Sequence, residues 1–178
     1  MNPLLKILPK IEFYLESIKI TMISDLEFFI KRESSNPKLR MFSFIYSFDD
    51  FKTVVYSIDN NGKTITDVVG LPIKNYKNLY AIENYDEFLP YDIEEEEEEL
   101  YEKYFAVEKS LEFQNYREEY DELKQSIFTN WFSQCWKIAC VNTKTNIIAT
   151  LSIEDSSEYL NLSTDNYITD EEIRALFD

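Results

Sequence analysis

The residue type this chain offers most of for chemistry is the carboxylate. The chain holds 34 Asp and Glu against 18 Lys and Arg, and no histidine. Without imidazole there is no common general base, no usual zinc ligand and no histidine-dependent nucleophilic triad. Two glycines leave no glycine-rich loop to cradle phosphate. No Walker loop, dinucleotide fingerprint or nucleophile elbow occurs. Cys135 and Cys140 are five residues apart in a helical pattern, so their side chains point about 140° apart and cannot pair. They read as two thiols in a reducing compartment, with no histidine to make either a thiolate nucleophile. A hydrolase could still use two acids about 5–10 Å apart. Among 34 acids some pair meets that spacing by chance, so the inventory points away from an enzyme.

The acids are not spread evenly. Residues 1–82 hold 11 basic and 9 acidic side chains, residues 83–122 hold 3 and 17, and residues 123–178 hold 4 and 8. One stretch of forty residues therefore supplies −14 of the formal −16. Within it, the segment 83–104 mixes carboxylates with tyrosines around the run Glu94 to Glu99. The bland reading is a solvated acidic loop. The functional reading is a docking face: crowded like charges repel, a cationic partner relieves the repulsion, and tyrosines supply rigid contact area. The contact candidates are Tyr85, Asp86, Glu87, Tyr91, Asp92, Glu94, Glu95, Glu96, Glu97, Glu98, Glu99 and Tyr101. Consecutive glutamates without Gly or Asn do not make a calcium loop, so no metal is expected, nor any cofactor. Basic residues are dispersed, which disfavours direct binding to nucleic acid.

These candidates need a scaffold, and hydrophobic periodicity predicts one. Pro9 opens a pattern in which Ile11, Leu15, Ile18, Met22, Leu26, Phe29 and Ile30 recur at helical steps, giving a helix over about 10–32. Leu39–Ser47 and Phe51–Ile58 read as strands, and Asn61-Gly62 turns the chain toward a third over Thr64–Val69. Residues 73–93 read as irregular. A long helix is predicted over about 110–140, with Leu123, Ile127, Phe128 and Trp131 completing the core. Strands follow at Ile147–Ile153 and Tyr159–Leu162, and Thr169 to Glu172 matches a capping box. The expected architecture is one α+β domain over 1–178. An antiparallel sheet of about four to five strands is packed by the N-terminal helix and the long late helix. No apolar run approaches the length of a membrane span, and the start at Met1 shows no secretory signal, so a cytoplasmic protein is expected. Oligomeric state is not legible.

The acid-rich middle, the N-terminal helix and meander, and the aromatic segment Asn130-Trp131-Phe132-Ser133-Gln134-Cys135-Trp136-Lys137 together resemble the immunity proteins of bacterial polymorphic toxin systems. The resemblance implies an inhibitor that binds a basic partner, its cognate toxin, and blocks the active site. A viral nucleic-acid mimic that occupies a host DNA-binding protein would use the same carboxylates. A carboxylate-dependent hydrolase is the third reading.

Overall fold

The computed structural model describes residues 2–73, 88–105 and 111–177. A 3₁₀ turn at Pro3–Lys6 leads into α1 (Leu8–Glu33), then β1 (Leu39–Tyr46), β2 (Thr53–Asp59) and β3 (Val69–Leu71). After them come α2 (Tyr91–Phe105), α3 (Leu111–Thr143), β4 (Ile148–Ile153), β5 (Glu158–Asn161), β6 (Asn166–Thr169) and α4 (Asp170–Arg174). A long helix followed by a three-stranded meander thus occurs twice.

The fold class is α+β, with one correction to the expected sheet. Among the described residues it has six strands in the order β3-β2-β1-β4-β5-β6. It is mixed and not antiparallel: β1 and β4 run parallel at its centre, pairing Phe42 with Ala149 and Phe44 with Leu151. The other four pairings are antiparallel. A parallel pair needs a long crossover, and the chain from β2 through α3 provides it. The third strand is also displaced. Thr64 makes only an isolated bridge with Ile58, and the paired strand begins at Val69.

Both long helices cover one face of the sheet. α1 buries Ile11, Leu15, Ile18, Met22, Leu26 and Phe29, the stripe that its sequence period demands. α1 and α3 run parallel, since Lys19 meets Gln134 and Asn142 meets Glu27 at the same sequence offset of 115. The core between helices and sheet is aromatic. Phe42 meets Phe29 and Trp136, Phe44 meets Phe132, and Phe51 stacks on Phe128 with centroids 4.4 Å apart. Leu123, expected in this core, is instead 41% exposed, and the adjacent Lys124 is fully buried. The C-terminal segment folds back to β1, where Arg40 donates to the Leu176 carbonyl.

Candidate functional site

The glutamate run is a helix. Pro90 caps it, its carbonyl accepting from the Ile93 amide at 2.9 Å, and Asp92 and Glu94 sit in the first turn where the helix dipole favours negative charge. Glutamate is a good helix former, but like charges three and four apart oppose each other by about 0.2–0.5 kcal/mol per pair. Something else must hold α2 in place, and its inner face supplies it. Ile93 and Leu100 are 4% and 7% exposed in the core. Glu96 pairs with Lys10 of α1, and that hydrogen bond holds its carboxyl below the usual range.

Glu97 reaches Lys124 of α3. The Lys124 ammonium donates to both Glu97 oxygens at 2.9 and 3.0 Å and to the Asp49 carbonyl at 2.9 Å. It lies 5.1 Å from the Phe48 ring, 5.5 Å from Phe51 and 5.9 Å from Tyr120. The Lys124 side chain is 1% exposed and that of Glu97 13%. An unpaired charge at such a depth would cost several kcal/mol, so each charge requires the other. Burial pushes the Glu97 carboxyl up, against the downward pull of Lys124. The same contact fixes the β1–β2 turn, where Phe51 holds a left-handed φ of 57° that a bulky residue rarely adopts. Lys124 is thus one tie between α2, α3 and that turn.

With the inner face committed, 100° per residue sets the rest. Tyr91, Asp92, Glu95, Glu98, Glu99 and Glu102 share an arc of about 120° and are all exposed. Tyr91 is 64% exposed. Five carboxylates stand along the ten-residue rise from Asp92 to Glu102, about 15 Å. That is roughly one charge per 3–4 Å, close to the 3.4 Å axial spacing of phosphates on one nucleic-acid strand.

The twelve expected contact residues therefore divide. Tyr91, Asp92, Glu95, Glu98 and Glu99 lie together on the outward face. Glu94, Glu97, Glu98 and Tyr101 line an open hollow of about 540 Å³ with Asp49 and Asp50 of the β1–β2 turn. Glu96 faces Lys10. Tyr101 is tied inward, donating to Asp121 at 3.3 Å and sitting edge-on to Tyr120. Tyr85, Asp86 and Glu87 lie outside the described residues. Glu102 belongs to the face and was not among the twelve, although stepping three and four from Glu95, Glu98 and Glu99 reaches it. Lys124 also escaped notice. Its signal is a lysine in the apolar row Tyr120, Lys124, Phe128, with a surplus of glutamates nearby to neutralise it.

Among the described residues no group of three Asp, Glu or Cys could hold a metal ion. Cys135 and Cys140 are free, and burial pushes their thiols up to about 12 and about 11, away from nucleophilic thiolates. No helix among the described residues is long and apolar enough to cross a membrane. No family model, curated protein or solved structure matches the chain.

Proposed function

We propose that the chain is a binding inhibitor whose α2 face covers a basic cleft on a partner protein. The observation behind it is that the acids are held on a helix anchored by Ile93, Leu100 and the Glu97–Lys124 pair, with a further set turned outward. Preorganised charges need not be ordered at the moment of docking, which saves entropy on binding. The spacing of the outward carboxylates suits a cleft built for the phosphates of a nucleic-acid strand. Within this reading the protein is a cytoplasmic immunity protein and the partner a cognate toxin that acts on nucleic acid. A viral mimic of nucleic acid would use the same face, and a toxin gene or a phage cluster beside the coding gene separates the two. The test is co-purification with the product of the adjacent gene, repeated with Glu95→Lys, Glu98→Lys and Glu99→Lys combined. Loss of the complex supports the reading, and an unchanged complex removes α2 as the contact.

Carboxylate-dependent hydrolysis has one observation in its favour. Glu97, its carboxyl pushed up by burial, lines a hollow with Asp49, Asp50 and Glu94. A general acid needs such a shift. Both Glu97 oxygens, however, already accept from Lys124, a counter-ion arrangement that leaves the carboxylate occupied.

A further inference from the structure

The outward ridge of α1 is left bare by the rest of the fold. Between residues 13 and 28 only Phe13, Glu16, Ser17, Ile20, Ser24 and Phe28 are exposed. Five of them, Phe13, Ser17, Ile20, Ser24 and Phe28, fall within an arc of about 80° along about 22 Å of helix. Phe13 is 80% exposed, Ile20 83% and Phe28 53%. The face that a helix turns to water is ordinarily charged, and 29% of this chain is charged. These five carry no charge at all, and Glu16 beside them is already held by Lys19 at 2.9 Å. Phe13, Ile20 and Phe28 alone expose roughly 400 Å², a patch of the size that is often functional.

We propose that this ridge is the interface of a homodimer, in which α1 of two copies packs antiparallel about a two-fold axis. The order Phe, Ser, Ile, Ser, Phe reads the same in both directions. About a centre between Ile20 and Thr21, Phe13 falls opposite Phe28 of the second copy and Ser17 opposite Ser24, the self-complementarity that a two-fold contact demands. The two Ile20 side chains meet at the centre, and the small serines on either side let the helices approach closely. Two copies of the three apolar residues bury about 800 Å², and the flanking Pro9, Ser17, Ser24 and Lys31 carry the contact toward the roughly 1,200–2,000 Å² of a stable interface. Charge does not oppose it. Residues 83–122 hold −14 of the formal −16, whereas α1 has four basic and five acidic side chains. Lys10 falls opposite Lys31 of the second copy, but each is neutralised within its own chain, by Glu96 and Glu27. The ridge is separate from the outward face of α2 and does not depend on it.

Sedimentation equilibrium of the reduced full chain at about 100 μM, above the weakest Kd expected of an interface this size, should show a dimer. Ile20→Glu, at an exposed position, should raise that Kd tenfold or more and leave the circular dichroism and melting of the dilute chain unchanged. Oxidation reads the register. In the dimer, position 17 of one copy lies about 10 Å along the axis from position 17 of the other, and the same holds for position 24. That is too far for a disulfide, so neither Ser17→Cys nor Ser24→Cys alone should cross-link faster than the unsubstituted chain with its Cys135 and Cys140. A mixture of the two variants, allowed to exchange subunits, should give a disulfide-linked dimer. Neutralising α2 (Glu95→Gln, Glu98→Gln, Glu99→Gln) should leave that cross-link in place. A monomer at about 100 μM overturns the proposal, as does a dimer that Ile20→Glu leaves intact. Cross-linking by either single variant as fast as by the mixture overturns it too, since the copies would then meet in another register. A chain that stays monomeric but gathers on phosphatidylcholine vesicles through Ile20 would give the ridge to a membrane surface instead.

Discussion

Lys124→Met is the sharpest structural perturbation available. Methionine keeps most of the apolar stem among Phe48, Phe51 and Tyr120 and removes the ammonium. Left behind are the Asp49 carbonyl without its donor and Glu97, 13% exposed, without its counter-ion. Breaking a buried pair from one side costs about 3–5 kcal/mol, and an unsatisfied carbonyl adds about 1–3. Glu97 is not fully enclosed and can take up a proton, so the net loss should be about 2–4 kcal/mol. In a domain of this size that lowers Tm by roughly 4–16 °C. Glu97→Leu alone should cost about as much, because it strands the more deeply buried Lys124. The double variant should recover about 1.5 kcal/mol or more of the summed loss, since two apolar groups replace the pair. Urea unfolding followed by circular dichroism measures all three. If Lys124→Met costs under about 0.5 kcal/mol and the double variant is additive, Lys124 does not tie α2 to the body.

Stability should peak in mild acid. Burial raises the carboxyl of Asp121, so the folded state binds that proton more tightly and gains stability as pH falls toward the ordinary carboxylate range. Relief of self-repulsion at a formal −16 acts in the same direction. Glu96 and Asp165 are lowered by hydrogen bonds from Lys10 and Lys137, and their contribution is lost as pH falls through their folded values. Thermal melts should therefore improve from pH 7 to about pH 5 and worsen below about pH 4, and a monotonic fall from pH 7 would contradict this. In the folded protein at pH 8, Cys135 and Cys140 should react with iodoacetamide at least tenfold more slowly than in urea, read by mass spectrometry. Thr169→Ala should cost about 1 kcal/mol by removing the capping box that opens α4, measured by urea unfolding.

Local pattern made much of the scaffold legible. The buried row from Ile11 to Phe29 and the apolar strands Leu39–Tyr46 and Ile148–Ile153 each declare their element by period or composition. The parallel pairing of β1 with β4 did not show, because it joins residues more than a hundred positions apart and leaves no local mark. Leu123 misled because hydropathy places it in the apolar stripe, whereas the helix rotation gives that inward position to Lys124. Only a nearby counter-ion makes a buried lysine tolerable, and no single segment reveals which of 34 acids it will be. The acidic run was visible as charge, but its division into inward and outward faces required the helix that Ile93 and Leu100 anchor.

One comparison tests the docking face most directly. Neutralise Asp92, Glu95, Glu98, Glu99 and Glu102 in one variant, and the exposed Asp67, Glu154, Asp155, Glu158 and Glu171 in another, so that net charge changes equally. Measure association with the adjacent gene's product across a range of salt. Steering by α2 predicts that only the first variant loses on-rate, by tenfold or more at low salt, along with its salt dependence. Equal losses in the two variants would mean that total charge and not this helix attracts the partner.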